Sequence, residues 1–201
     1  MMIRAIAFDM GSVYVYAPSM LFYKEAAKYF GISAKEMKKA FHEQRDDFQK
    51  GKIKESKFWE QFADGYGKKA DMKVIRKAWK RMTDKMRVDP SMEVVVRKLK
   101  KKYTVGVISN TVEYHYNFIK RKGWYKPFKP VICSCKVGYR KPEKKIYKLF
   151  LQKAKVKASE TVFVDDKKEC VDGARRVGMK AILFENAQQL RRELVKLGVE
   201  I

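Results

Sequence analysis

Short apolar runs alternate with amphipathic segments through most of the chain, and several runs end at polar residues. The first run, Ile3–Phe8, is too short for a helix and rich in strand-forming residues, and it ends at Asp9. Similar runs occupy 104–108, 131–133, 161–164 and 181–184, with helical spacing between them. This alternation predicts an α/β fold, a doubly wound parallel sheet with helices on both faces.

One long segment interrupts the alternation. From residue 19 to residue 87 apolar residues recur at helical spacing and strand-like runs are absent. Gly31 is predicted to end a first helix, Ser33–Glu36 has the capping-box pattern that opens a second, and Gly51 is predicted to end that second helix. The sequence therefore predicts two units: a core of residues 1–15 and 88–201, and an α-helical insertion of residues 16–87.

The composition indicates a folded protein of the cytoplasm. Of the 201 residues 46% are hydrophobic, and no apolar run approaches the roughly 20 residues that a membrane helix needs. The start of the chain lacks the pattern of a signal peptide, and three cysteines suit a reducing compartment. Cys133 and Cys135 are expected to share one face of a strand.

The charge is strongly positive. Lysine and arginine number 47 against 23 acidic residues, which gives a net charge of +24. Such a field attracts anions, including nucleic acids. Because the excess is spread over predicted helix faces rather than a tail, solvated basic surfaces are the expected explanation and a nucleic-acid partner is only the alternative.

Polar residues of particular kinds follow three predicted strands. They are Asp9, Ser109–Asn110 and Asp165–Asp166, and Lys141 opens a predicted helix between the last two sites. Because parallel strands end at one edge of a sheet, these groups are expected to meet there. Crowded carboxylates repel one another unless a hard cation such as Mg²⁺ joins them. The hydroxyl, amide and ammonium groups suit a phosphoryl group, with Asp9 as candidate nucleophile.

In this order the motifs resemble those of the haloacid dehalogenase superfamily, and the match covers nearly the whole chain. The matching segments are Phe8–Val13, Ile108–Thr111, Gly138–Glu143 and Val164–Asp166. The insertion is similar to the small α-helical cap of that superfamily. Details of the motifs resemble the α-D-glucose-1-phosphate phosphatase-like subgroup, which is related to the N-terminal domain of soluble epoxide hydrolases. The resemblance implies a Rossmann-like core.

The resemblance also implies roles for individual residues. Asp9 would attack phosphorus, Lys141 would neutralise the shared charge, and Ser109 would bind phosphate oxygens, as would Asn110 through its backbone or its amide. The turn after Asp9 would contribute to substrate binding through Gly11 and Ser12. The implied ligands of Mg²⁺ are Asp9, the backbone carbonyl of Gly11, Asp165 and Asp166.

One position departs from the pattern. Most phosphatases of this superfamily carry a second Asp two residues after the nucleophile, where it protonates the leaving group and later activates water. This chain has Gly11 there. Either another group substitutes, with His115, Tyr14 and Tyr16 as candidates, or the substrate has a good leaving group, or turnover is slow.

The expected function is that of a Mg²⁺-dependent phosphohydrolase acting on a small phosphorylated metabolite, such as a sugar phosphate. A catalytically weak binding or regulatory protein on the same scaffold is the main alternative. A metal-free 2-haloacid dehalogenase is disfavoured, because two adjacent carboxylates without a cation would repel an anionic substrate. The basic and aromatic stretch Phe118–Lys126 motivates the nucleic-acid alternative. No membrane partner is expected.

Overall fold

The fold is built on a parallel sheet. A computed structural model describes residues 2–201. Their strands are β1 (Ala5–Phe8), β2 (Val15–Tyr16), β3 (Arg87–Val88), β4 (Thr104–Ser109), β5 (Val131–Cys133), β6 (Thr161–Asp165) and β7 (Lys180–Leu183). Five of them form one sheet in the order β5-β4-β1-β6-β7, and every neighbouring pair is parallel.

Eleven α-helices accompany these strands within the described residues. They are α1 (Ser19–Phe30), α2 (Ala34–Gln44), α3 (Asp46–Gln49), α4 (Glu55–Asp64), α5 (Met72–Thr83), α6 (Pro90–Leu99), α7 (Glu113–Arg121), α8 (Ser134–Val137), α9 (Lys144–Ala154), α10 (Lys168–Arg175) and α11 (Ala187–Lys196). Among residues 2–201, none of these helices has the length and apolarity needed to cross a membrane.

The central strand β1 is buried on both faces, as its continuous apolar run predicts. Ile6 and Phe8 belong to the core that includes buried residues of α6 and α11, whereas Ala7 belongs to the core formed with α9 and α10. Successive side chains of a strand point to opposite faces, so one strand serves both cores. The predicted α/β architecture is confirmed.

Residues 19–83 contain helices α1 to α5 around an aromatic core. The rings of Phe22 and Trp79 stack with their centroids 3.6 Å apart, and Phe41 packs against both. Gly31 ends α1 with a φ of +70°, which glycine adopts without steric cost, and the capping box at Ser33 is formed. The predicted helix ends are confirmed there.

The predicted end of the second helix at Gly51 is wrong. Helix α2 ends at Gln44, and the short helix α3 follows after Arg45. Phe48 in α3 is buried, and its ring stacks on that of Phe58 in α4 with the ring centroids 4.4 Å apart. Burial of the Phe48 ring therefore accounts for the break between α2 and α3.

A two-stranded antiparallel ribbon joins the two ends of the helical segment. Val15 pairs with Val88, and Tyr16 pairs with Arg87, whose guanidinium lies 4.3 Å from the centre of the Tyr16 ring. Residues 14–18 form a short β-prone segment in the sequence, but no sequence pattern identifies residues 87 and 88 as its partner. The ribbon fixes both chain crossings between the sheet and the helical segment.

Cys133 and Cys135 do not share a strand face. Strand β5 ends at Cys133, and Cys135 lies in α8. The chain turns because the buried hydroxyl of Ser134 bonds to the backbone of Thr111, accepting from its N–H at 2.9 Å and donating to its carbonyl at 3.1 Å. The expectation that both cysteines lie on one strand is therefore wrong.

Candidate active site

The polar ends of three neighbouring strands meet at one edge of the sheet. Asp9 directly follows β1, Ser109 ends β4 and Asp165 ends β6, and β1 lies between the other two strands. All three side chains are buried, Asp165 completely. The sheet topology thus brings together the groups that the sequence singled out.

Lys141 connects two of these carboxylates. Its Nζ lies 2.7 Å from Oδ1 of Asp9 and 2.6 Å from Oδ2 of Asp165, and the side chain is buried. Burial opposes its charge, but the carboxylates of Asp9 and then Asp165 outweigh that effect and raise the pKa of Lys141 above its ordinary value. The lysine is therefore charged and fixed between the two acids.

Asn110 holds the backbone of Lys141. Its amide Nδ2 donates to the carbonyl of Lys141 at 2.8 Å, and its Oδ1 accepts from the N–H of Lys141 at 2.8 Å. The amide is thus engaged, which leaves its backbone for the expected phosphate contact. The predicted helix start at Lys141 is also wrong, since α9 begins at Lys144. The later start has two reasons. The backbone N–H and carbonyl of Lys141 are hydrogen-bonded to Asn110, and a residue that precedes a proline disfavours the helical conformation.

Three carboxylates offer oxygens to a cation. One oxygen each from Asp9, Asp165 and Asp166 lie within 4.8 Å of one another. Asp165 already accepts from Lys141 and, through Oδ1, from the backbone N–H of Lys167 at 2.9 Å. In contrast, the buried Oδ1 of Asp166 has no hydrogen-bond partner within residues 2–201.

The pKa values of two of these acids reflect the crowding. Burial is the main cause that raises the pKa of Asp165 to about 6, with Lys141 opposing and Asp9 adding to the shift. Burial and then the Asp9 carboxylate raise the pKa of Asp166. A cation at this edge would relieve both costs.

A cavity of about 330 Å³ opens above the carboxylates. Its sheet side is lined by Asp9, Gly11, Ser12, Ser109, Asn110 and Asp166. Helices α1 and α2 contribute Tyr23, Lys38 and His42 on the opposite side. The cavity can hold a small ligand between the sheet edge and the helical segment.

Of the three side chains considered for proton transfer, His115 lines this cavity. Its Nε2 is buried and has no hydrogen-bond partner in the described chain, and burial lowers its pKa to about 4. Tyr14 is buried with its ring edge against Phe128, 4.8 Å between centroids, and burial followed by Glu93 raises its pKa to about 12. Tyr16 is half-exposed on the ribbon.

His42 is a cavity residue that the sequence did not single out. Its Nε2 and the hydroxyl of Tyr23 form a hydrogen bond of 3.1 Å. Burial lowers its pKa to about 4, with further contributions led by Arg45 and Lys167. In the sequence it is a single histidine within an amphipathic helix, a pattern that distinguishes no ligand-binding residue.

The basic and aromatic stretch Phe118–Lys126 turns its rings inward. Phe118 and Tyr125 are buried, and Phe118 packs edge-on against Trp124 at 5.7 Å. Stacking on nucleic-acid bases needs exposed ring faces. The arrangement therefore supports the structural explanation of this stretch.

Comparison with known proteins defines the class. A family model described as haloacid dehalogenase-like hydrolase matches residues 3–178. The chain belongs to this hydrolase family.

The curated relatives carry several activities. The chain is 26% identical over 203 residues to a D-ribitol-5-phosphate phosphatase of Bacteroides thetaiotaomicron, covering 96% of this chain and 97% of that protein. It is 24% identical over 203 residues to the drimenol cyclase drtB of Aspergillus calidoustus, covering 98% of this chain but 37% of that protein. A stretch of 67 residues is 43% identical to the mouse bifunctional epoxide hydrolase 2, covering 33% of this chain and 12% of that protein. The expected likeness to epoxide hydrolases is confirmed.

The fold agrees with solved structures of the same family. A HAD family enzyme of Bacteroides thetaiotaomicron, solved with magnesium and inorganic phosphate, superimposes with a TM-score of 0.75 at 22% identity over 94% of this chain and 98% of that one. A HAD-like hydrolase of Porphyromonas gingivalis gives 0.78 at 22% identity over the whole of both chains. The expected Rossmann-like core of this family is confirmed.

Proposed function

We propose that the protein is a Mg²⁺-dependent phosphohydrolase of the cytoplasm that acts on a small phosphomonoester, such as a sugar phosphate. The observation that carries the proposal is the buried contact of Lys141 with Asp9 and Asp165 beside the free oxygen of Asp166. The phosphatase relative, similar over nearly its full length, supports the same reaction class.

Asp9 is proposed as the nucleophile. Lys141 holds one oxygen of this carboxylate and balances its charge, which orients it at the cavity floor. A carboxylate oxygen forms a bond to phosphorus while the ester O–P bond breaks, and the leaving alkoxide takes a proton from solvent water. Water then attacks phosphorus, releasing phosphate and restoring the Asp9 carboxylate. Ser109, Gly11 and Ser12 are proposed to contact the phosphoryl oxygens.

The residues present fit a hard divalent cation. The orphaned Oδ1 of Asp166 and the oxygens of Asp9 and Asp165 form an all-oxygen set, which suits Mg²⁺. We propose that Asp9, Asp166 and the carbonyl of Gly11 hold it, with Asp165 nearby orienting Lys141 through its hydrogen bond. When bound, Mg²⁺ would neutralise phosphoryl charge.

Residues 16–87 are proposed to act as a cap over this site. Lys50 forms an ion pair of 2.8 Å with Glu143, and Asp46 pairs with Arg140, so α3 and the residue after it contact both sides of Lys141. Gly51 lies so close to the carbonyl of Cys135 that a Cβ would collide with it. These contacts would hold the cap closed and exclude water during phosphoryl transfer.

The second candidate is a catalytically weak binding protein with the same site. The observation that favours it is Gly11, which has no side chain for proton transfer. His115 lines the cavity, and because its pKa is lowered to about 4 it is neutral and is proposed to accept the proton of the attacking water, while a good leaving group would need no added acid. Measured turnover decides between the two functions.

The test is a panel of phosphomonoesters assayed with Mg²⁺, with EDTA, and with Asp9→Asn. Turnover that needs the metal and is lost in Asp9→Asn is expected. Asp64→Asn on the exposed surface of α4 makes the same chemical change away from the site and should keep full activity. Turnover that persists with EDTA or in Asp9→Asn would contradict the mechanism, and no turnover on any ester would favour the binding function.

A further inference from the structure

The active-site cavity adjoins a recess between the helical segment and residues 110–115. This recess has a volume of about 90 Å³ and shares Tyr23, Arg45 and His115 with the cavity lining. Phe22 and Trp79 form part of its wall. Because a water molecule occupies about 30 Å³ in the liquid, the recess has room for only a few heavy atoms. It is therefore suited to the end of a substrate rather than a whole one.

Two polar side chains of the recess lack partners. Gln49 is only 8% exposed, yet its Oε1 makes no hydrogen bond within residues 2–201. The buried Nε of Arg45 is likewise without an acceptor in that part of the chain. An unsatisfied buried polar group costs about 1–3 kcal/mol, so a ligand that accepts from Nε of Arg45 is favoured, whereas Oε1 of Gln49 needs a donor, such as a hydroxyl group of the ligand.

The basic side chains around the recess favour a negatively charged ligand. Lys38, Arg45 and Lys167 line the cavity, and across residues 2–201 no carboxylate lies within 4.0 Å of their charged nitrogens. Asp46, which follows Arg45 in the chain, is already paired with Arg140. The acidic residues of the lining, Asp9 and Asp166, lie at the sheet edge. Of these three cations Arg45 also lines the recess, so the recess presents a positive charge.

We propose that the leaving group of the substrate carries a second anionic group, a carboxylate or a second phosphoryl, which binds to Arg45 where the cavity meets this recess. The inference rests on the proposed phosphohydrolase function and specifies its substrate class. The guanidinium of Arg45 offers paired donors that match such oxyanions, and Oε1 of Gln49 can accept from a hydroxyl group of the same leaving group. The esterified phosphate then lies at Asp9, at the other end of the cavity.

The kinetic test compares matched substrates. 3-Carboxypropyl phosphate and propane-1,3-diyl bisphosphate each carry a second anion, whereas butyl phosphate ends in a methyl group. Wild-type kcat/KM for at least one anionic substrate is expected to exceed that for butyl phosphate by about 10- to 100-fold, the range for hydrogen bonds to charged groups. The two anionic arms distinguish a carboxylate from a second phosphoryl group.

Variants locate the effect. Arg45→Met is expected to reduce this preference by about tenfold or more, chiefly through KM, and Arg45→Lys to restore part of it. Lys35→Gln removes one charge from the exposed surface of α2, the helix that precedes Arg45, and should leave the preference unchanged. A preference that survives Arg45→Met, or falls equally in Lys35→Gln, would overturn the assignment.

A binding measurement separates this inference from the proposed function. Calorimetry with 3-phosphonopropionate and propylphosphonate, which cannot be hydrolysed as esters, should show tighter binding of the carboxylate in wild type and a smaller difference in Arg45→Met. Equal binding of the two phosphonates overturns the subsite. Absence of turnover on every ester, together with selective phosphonate binding, would refute the phosphohydrolase and keep the subsite.

Discussion

The side-chain amide of Asn110 and the backbone of Lys141 are joined by two hydrogen bonds, each 2.8 Å long and opposite in direction. Asn110 directly follows β4, which pairs with β1, the strand that ends before Asp9. The position of Lys141 is therefore tied to the strand that carries the proposed nucleophile.

Replacing this amide should disturb the lysine without touching it. In Asn110→Ala the N–H and carbonyl of Lys141 lose their partners, so we expect a loss of about 1–3 kcal/mol in the free energy of unfolding. The kcat should fall by about tenfold or more because Lys141 no longer holds Asp9 in one place. Urea unfolding and steady-state kinetics measure both.

The control for that change is Asn117→Ala on the exposed surface of α7, which removes the same side chain away from the site. It should alter neither kcat nor stability beyond about 0.5 kcal/mol. Equal effects of the two variants would contradict the role of Asn110.

Lys141→Met should be strongly destabilising. It leaves the fully buried Asp165 without its cation, and breaking a buried ion pair in this way costs about 3–5 kcal/mol. Adding Asp165→Asn removes the uncompensated charge and should recover part of the stability but no activity. Chemical unfolding of the single and double variants measures the coupling free energy between Lys141 and Asp165. Additive losses in the free energy of unfolding would contradict the buried ion pair.

Gly11→Asp should raise activity on substrates with poor leaving groups. A Cβ at Gly11 would meet no atom within 4 Å, so the side chain has room beside the cavity. An added general acid contributes about 10²–10⁴ in rate when well placed, and an increase of at least tenfold is expected. Gly11→Asn is the isosteric control that transfers no proton. If it accelerates the reaction as much, proton transfer is not the cause.

Acidification should destabilise the fold through its buried imidazoles. Burial lowers the pKa of His115 to about 4, so below pH 6.5 the unfolded chain binds a proton that the folded one resists. This stability is present above pH 6.5 and is lost as the pH falls toward 4. For His115 we expect a loss of about 2 kcal/mol between pH 7 and pH 5. His42 acts in the same direction.

The measurement is the difference between wild type and His115→Gln in urea unfolding at both pH values. The difference is needed because Asp165, whose pKa burial raises to about 6, gains stability over part of the same range. The variant should lose less stability than wild type on acidification. Identical losses in both proteins would refute the contribution of His115.

The sequence by itself determined the strands and their chemistry. Each strand of the parallel sheet contains a short continuous apolar run, and each proposed site residue at 9, 109 and 165 comes where such a run ends. These patterns are local, because burial on both faces requires an unbroken apolar segment. These patterns predicted the fold class. They also predicted that these residues meet at one edge of the sheet.

Only the tertiary structure decided how the groups are used. The amide of Asn110 bonds to Lys141 rather than remaining free, and Cys135 leaves the strand because Ser134 bonds to Thr111. Arg45 and Gln49 lie beside the cavity without partners, which no sequence pattern indicated. These facts depend on which buried polar atoms find partners, and partners distant in sequence are selected by packing, not by periodicity.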